Sequence, residues 1–77
     1  MQKSIYTEKH KKLVDWLVQS RKAAGLTQQQ LADKLGRPQS FVAKYENLER
    51  RIDVVEFVEI AAQLAVNPKD GISHLLA

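Results

Sequence analysis

Apolar residues recur along this 77-residue chain every three or four positions, which is the spacing of one buried face of an α-helix. No stretch alternates apolar and polar residues for long enough to predict a sheet. The spacing instead predicts five helices and an all-α fold. Glycine and proline interrupt helices, so the predicted breaks fall at Gly25, at Gly36, within 47–52 and at Asn67-Pro68.

The first and fifth predicted helices lie toward the two ends of the chain. The first helix begins after Thr7, a good N-cap, and ends at Gly25. Its buried stripe is predicted to comprise Leu13, Trp16, Leu17, Ser20 and Ala24. A short fifth helix covers residues 70–76. Four apolar residues lie in or just before this helix: Val66, Ile72, Leu75 and Leu76. Two interpretations stay open for them: they close the core of the monomer, or they pack against a second copy.

The fourth helix is predicted to begin at Asp53, with Glu56 at the third helical position, the arrangement of a capping box. We interpret Glu56 and Glu59 as its solvated face rather than as a catalytic pair of carboxylates. Its apolar stripe is predicted to comprise Val54, Phe57, Val58, Ala61 and Leu64.

The segment 27–47 predicts two short helices joined by a tight turn. A second capping box, Thr27 with Gln30, opens the first of them, and Gly36 supplies the positive φ that the turn needs. Ala32 is small enough for the two helix backbones to approach closely. The second helix, 39–46, buries Phe41, Val42 and Tyr45 and exposes Gln39, Ser40, Ala43 and Lys44. Such a unit can place a helix in the major groove of DNA.

Charge is distributed unevenly along the chain. Residues 1–51 contain 11 Lys and Arg against 5 Asp and Glu, a net charge of +6, whereas residues 52–77 contain 1 against 4, a net charge of −3. This asymmetry suits one face held against a polyanion, although two solvated faces of different charge remain the simpler alternative. No cysteine is present, and no apolar run approaches the ~20 residues of a membrane span.

Little in the sequence points to catalysis. His10 and His74 are far apart and lack a matching Cys or acidic cluster, so we interpret them as surface histidines rather than metal ligands. Ser40 has no histidine near it in sequence and is not expected to be a nucleophile. We therefore expect no enzyme activity, no catalytic residue, no metal and no cofactor.

Residues 10–76 resemble the Cro/repressor (Xre-type) helix-turn-helix family. The matching motif is Arg21-Lys22-Ala23-Ala24-Gly25-Leu26-Thr27-Gln28-Gln29-Gln30-Leu31-Ala32, then Gly36, then Gln39-Ser40-Phe41-Val42-Ala43-Lys44-Tyr45-Glu46. The resemblance implies a five-helix, lambda-repressor-like all-α domain that binds a palindromic operator in double-stranded DNA as a homodimer, without catalysis.

The resemblance also implies roles for individual residues. Gln39 and Ser40, with Lys44 one turn further on, would face base edges, and Lys44 could equally reach a phosphate. The residues expected to hold the DNA backbone are Gln28, Arg37, Asn47, Arg50 and Arg51. Gln28 would also steady Gln39. Arg21 and Glu46 would form a partly buried structural ion pair.

One position departs from the family pattern. The family usually has glycine after Glu46-Asn47, where the chain turns sharply, and this chain has Leu48. Either Asn47 adopts the left-handed conformation, which asparagine tolerates, or the loop follows a different path. The positions of Arg50 and Arg51 depend on which of these holds.

These features predict a single domain, 1–77, with a flexible segment at 1–6, acting in the cytoplasm and associating with the nucleoid when DNA-bound.

The leading hypothesis is a sequence-specific repressor. A second hypothesis is an antitoxin that binds a toxin and its own operator. It would need a disordered toxin-binding tail, and the chain ends at Ala77 with almost none. A third is a protein-interaction module that retains the fold without binding DNA.

Overall fold

The computed structural model describes residues 7–77, and within them it contains five α-helices and no strand. The helices are α1 (Glu8–Ala23), α2 (Gln28–Leu35), α3 (Gln39–Glu46), α4 (Val54–Gln63) and α5 (Pro68–Leu76). The predicted all-α fold is confirmed, and the predicted flexible segment 1–6 lies outside the described residues. None of these five helices combines the length and apolar character that a membrane span requires.

Side-chain caps fix where the helices begin. In the box at α2, Gln30 N donates to Thr27 Oγ1 over 3.1 Å, and Thr27 N donates to Gln30 Oε1 over 2.9 Å. Asp53 and Glu56 form the same reciprocal pair at α4. Asn67 caps α5, so this helix begins at Pro68, two residues earlier than predicted, because proline suits the first helical position.

The core lies where α2, α3 and α4 meet the inner face of α1. Its largest fully buried side chains are Tyr45, Leu17, Leu31, Ile60 and Val42. Ala32 is also fully buried, and α2 ends at Gly36 with a φ of 68°, as the turn requires. This packing fixes α3 from behind.

Two of the predicted apolar stripes are partly wrong. On α1, Ala24 is exposed because it caps the helix end, and Val14 is buried instead. On α4, Val54 and Val58 are exposed, and Ile60 takes the buried place beside Phe57. The helix therefore turns Val54 and Val58 to solvent, where they adjoin α5.

Some of the C-terminal apolar residues close the core of the monomer, and others remain exposed. Val66 packs against the core, whereas Ile72 and Leu76 are exposed. Gly71 anchors α5 against α1, because a Cβ at this position would lie 2.8 Å from the Trp16 ring. Core closure therefore accounts for Val66, and the outer side of α5 stays uncovered in the single chain.

His10 is buried rather than at the surface, which corrects the sequence interpretation. It lies one helical turn before Val14 on the inner side of α1 and is 7% exposed, and its Nε2 has no hydrogen-bond partner within residues 7–77. Burial and the nearby charge of Arg51 lower the pKa of His10, so the ring favours its neutral form. His74 is exposed, as predicted.

Candidate nucleic-acid interface

Helices α2 and α3, joined through Gly36, form the predicted helix-turn-helix unit. Phe41, Val42 and Tyr45 point into the core, and the Phe41 and Tyr45 rings meet edge to face at 5.5 Å between centroids. The three residues predicted to read bases, all exposed, are Gln39, Ser40 and Lys44. The unit therefore presents a polar face outward from a helix whose opposite face is fixed.

A bidentate ion pair joins α1 to the C-terminal end of α3. Arg21 Nε donates to Glu46 Oε2 over 2.7 Å, and Arg21 Nη2 donates to Glu46 Oε1 over 3.0 Å. The remaining Nη1 donates to the Leu26 carbonyl oxygen over 2.8 Å. The two side chains are 11% and 6% exposed, and the hydrogen bond to the carboxylate raises the pKa of Arg21. Arg21 is therefore held as a cation by a carboxylate almost removed from water.

The same carboxylate begins a chain of hydrogen bonds that ends at the start of α3. Gln28 Nε2 donates to Glu46 Oε1 over 2.9 Å, and Gln39 Nε2 donates to Gln28 Oε1 over 2.8 Å. We call Arg21, Gln28, Gln39 and Glu46 the Glu46 network. Among the described residues, the Gln39 amide retains one N–H donor and its carbonyl acceptor, because Nε2 carries two hydrogens. A donor beside an acceptor is what the N7 and N6 edge of adenine requires.

Tyr45 precedes Glu46 on α3 and is fully buried. Burial, with the nearby Glu46 carboxylate, raises the pKa of Tyr45 well above its usual value, so the phenol remains neutral. Its hydroxyl has no hydrogen-bond partner in the part of the chain that the structure describes. The Tyr45 ring therefore adds no charge beside the Glu46 network.

A second carboxylate, Glu56 on α4, gathers two of the predicted backbone-binding arginines. Arg50 Nη1 and Nη2 donate to Glu56 Oε1 and Oε2 over 2.9 and 2.8 Å, and Arg37 Nη1 donates to Oε2 over 3.4 Å. Both guanidinium groups lie over the Phe41 ring, with Cζ at 4.4 Å for Arg37 and 4.9 Å for Arg50. We call these four residues the Glu56 cluster.

The Glu56 cluster corrects the interpretation of Glu56 as part of a solvated face. Its side chain is 10% exposed, and the Arg50 hydrogen bond is the main cause that lowers its pKa to about 2. The capping box was evident in the sequence, but the arginine partners were not. Arg50 lies 6 and Arg37 19 residues away, in a loop and a turn whose folding the local pattern does not specify.

The remaining predicted backbone contacts lie after α3. Asn47 and Arg51 are exposed. The sharp turn is made by Leu48 itself, which has a φ of 62°, whereas Asn47 has a φ of −85°. Asn47 therefore does not adopt the left-handed conformation, and the loop is closed by Glu49 N donating to the Lys44 carbonyl over 2.8 Å. The chain keeps the expected turn with leucine where glycine is usual.

A separate apolar surface lies on α4 and α5. A groove of about 520 Å³ runs between them, lined mainly by Leu13, Ile52, Val54, Phe57, Val58 and Ile72. Val54 is 77% exposed and Val55 is 65% exposed. We call the exposed residues on these two helices the α4–α5 face; they are Val54, Val55, Val58, Ile72 and Leu76. Within residues 7–77 no group of three or more His, Cys, Asp or Glu side chains could hold a metal ion.

Comparisons with known proteins identify this arrangement. The family model for the helix-turn-helix family (HTH_3) matches residues 17–70. An XRE-family like protein from Pseudomonas syringae pv. tomato superposes with a TM-score of 0.84 at 47% identity, covering 88% of this chain and 83% of that one. The restriction-modification controller protein C.AhdI from Aeromonas hydrophila superposes with a TM-score of 0.76 at 28% identity, covering 84% and 98%.

No curated protein sequence matches the chain significantly. The family match spans most of the chain and contains the whole helix-turn-helix unit with both carboxylate sites. Both solved structures agree with it in fold, and the Pseudomonas syringae protein is itself described as XRE-family like. The chain therefore belongs to the Xre-type helix-turn-helix family of DNA-binding transcriptional regulators.

Proposed function

We propose that this protein is a repressor that binds a palindromic operator in double-stranded DNA as a homodimer. In this proposal α3 enters the major groove, where Gln39 and Ser40 read base edges and Lys44 contacts guanine or a phosphate. The residues proposed to hold the sugar-phosphate backbone are Gln28, Arg37, Asn47, Arg50 and Arg51. Repression follows from occupying the operator, so the domain needs no catalytic group or cofactor.

The observation that carries the proposal is the restrained Gln39 amide. Exposed glutamines ordinarily sample many rotamers, and ordering one on binding costs free energy. Here Gln28 accepts one N–H of Gln39, and Gln28 is itself held by Glu46. The remaining donor and acceptor therefore point outward before DNA arrives, which favours specific recognition of adenine.

The proposed dimer uses the α4–α5 face. Monomeric domains of this size seldom leave several large aliphatic side chains exposed together on one patch. Val54 and Leu76 are 77% and 75% exposed, and Phe57 forms the floor of the groove between the helices. A second copy placed by a twofold axis would bury this patch and set the two α3 helices about 34–36 Å apart, one turn of DNA.

Selection from a randomised duplex library tests the proposal directly. We expect the purified protein to enrich an inverted repeat whose half-sites are one helical turn apart. Replacing Gln39 by alanine should cost ~1–3 kcal/mol on that operator and relax the preference at one base pair. Enrichment without a twofold repeat would contradict the dimer, and an unchanged Gln39→Ala profile would contradict the assigned reading helix. Equal, weak binding to every duplex would favour the interaction-module alternative.

A further inference from the structure

The Glu56 cluster contains more positive charge than it neutralises. One carboxylate contacts two guanidinium groups, so the three charged side chains carry a net +1. The Arg37 and Arg50 side chains are 38% and 39% exposed, while Glu56 beneath them is 10% exposed. The cluster lies beside the beginning of α3, because Arg37 precedes Gln39 by two residues. The Asp53 carboxylate also acts on Arg50, so the positive charge left over at this end of α3 is that of Arg37, which is suited to a phosphate.

The two arginines differ in how many donors they have left. Arg50 donates from Nη1 and Nη2 to Glu56 and from Nη1 to the Arg51 carbonyl over 2.7 Å, so three short hydrogen bonds hold it and leave two of its N–H donors, on Nε and Nη2. Arg37 uses Nη1 alone, in one long contact of 3.4 Å. A guanidinium carries five N–H donors. Within residues 7–77, the Nε and Nη2 groups of Arg37 make no hydrogen bond, and that edge is the planar fork that binds two oxygens of a phosphate.

The head group of Arg37 is nevertheless held in place. Its Cζ lies 4.4 Å from the centroid of the Phe41 ring, and Phe41 is 7% exposed on α3 itself. The ring face and the Glu56 carboxylate therefore fix the guanidinium relative to the helix that enters the groove. A free arginine side chain would lose rotamer entropy on binding DNA, and this contact reduces that loss.

We propose that Arg37 donates its Nε–Nη2 edge to a phosphate of the DNA backbone, that Glu56 and Phe41 are positioning residues for it, and that Arg50 stays bound inside the cluster. This inference rests on the proposed function and changes it at one residue: Arg50 contacts Glu56 instead of the DNA backbone. Arg37 supplies affinity and register, because a phosphate carries no sequence information. Arg50 holds Glu56 so that Glu56 can hold Arg37.

The first test compares Arg37→Gln with Lys34→Gln by measuring how the DNA dissociation constant depends on salt. Both variants remove one positive charge. Lys34 is exposed near the end of α2 and makes no hydrogen bond or ion pair within the described residues. Arg37→Gln should make the plot of log Kd against log salt less steep by about 0.9, the value for one phosphate contact. Lys34→Gln should leave the slope near that of the wild type. Equal decreases in the two variants would overturn the proposal, because they would reflect only bulk charge.

The second test asks whether Glu56 acts through Arg37, using a double-mutant cycle on DNA affinity. Glutamine at position 56 retains the capping box with Asp53, and circular dichroism checks that each variant is folded. Glu56→Gln alone should weaken binding several-fold even though it raises the net charge. In the Arg37→Gln background the same change should alter affinity by less than about twofold.

Stronger binding by Glu56→Gln, or an equal loss in both backgrounds, would refute the positioning role. The same experiments distinguish failure of the proposed function from failure of the role of Arg37. A wild-type protein with no preference for any duplex would refute that function. An intact preference with an unchanged salt slope in Arg37→Gln would refute only the role of Arg37.

Discussion

The two carboxylate sites that flank α3 differ in what their partners still offer to a ligand. In the Glu46 network, the carboxylate side chain is 6% exposed and its hydrogen bonds lead from Arg21 through Gln28 to an exposed amide at Gln39. In the Glu56 cluster, the carboxylate is 10% exposed and holds two guanidinium groups directly. The first site thus ends in a neutral donor and acceptor, and the second ends in positive charge.

In our proposal this difference separates specificity from affinity around the beginning of α3. A neutral amide distinguishes base edges, whereas a cation binds phosphates of any sequence. In both sites a nearly enclosed carboxylate orients other polar side chains, directly or through an intermediate residue. Their effects on DNA binding should therefore be separable by substitution, and their effects on folding should differ in size.

The largest expected effect is loss of the carboxylate in the Glu46 network. Glu46→Ala leaves Arg21, 11% exposed, without its bidentate partner, and removing one member of such a pair typically costs about 3–5 kcal/mol. Urea unfolding measures the loss. The double variant Arg21→Met with Glu46→Leu should recover most of it, because no charge is then stranded. A double variant as unstable as Glu46→Ala would show that the ion pair is not the cause.

The next effect is the acid sensitivity of the Glu56 cluster. The pKa of Glu56 is lowered from 4.5 to about 2, mainly by Arg50, so the unfolded chain binds this proton at a higher pH than the folded chain. The stability from Glu56 is complete above about pH 4.5 and is lost as pH falls toward 2, which we expect to cost about 3 kcal/mol.

Unfolding free energies of the wild type and Glu56→Gln, measured between pH 7 and pH 2, check this expectation. The wild-type advantage over the variant should shrink as the solution is acidified, because glutamine does not titrate. An advantage that stays constant over this range would contradict the assigned cause of the pKa shift.

The sequence predicted the local part of this architecture well. Both capping boxes, the turn at Gly36 and the inward residues of α3 follow from patterns within a few residues of each other, and the structure has all of them. The predicted exposure of Glu56 is wrong because its arginine partners come from a loop and a turn distant in sequence. The predicted exposure of His10 is wrong because the sequence does not distinguish a buried histidine on a helix from an exposed one.

The smallest expected effect concerns Leu48, in the loop that joins the two sites. A left-handed conformation costs a leucine roughly 1–2 kcal/mol, and glycine removes that cost while adding backbone entropy to the unfolded state. Leu48→Gly should therefore raise the unfolding free energy by about 0.5 kcal/mol, measured by thermal denaturation. Ala65→Gly is the matched control, since Ala65 has a φ of 58° and is exposed. A clear loss in Leu48→Gly alone would mean that packing of the leucine outweighs its strain.

The division between the two sites is tested most directly by one titration experiment, in which fluorescence anisotropy follows the binding of Gln39→Ala and Arg37→Gln to the selected operator and to a scrambled duplex. Gln39→Ala should weaken operator binding roughly 5- to 150-fold and leave scrambled binding nearly unchanged. Arg37→Gln should weaken both duplexes by the same factor. The account is contradicted if Gln39→Ala weakens both duplexes equally, or if Arg37→Gln weakens only the operator.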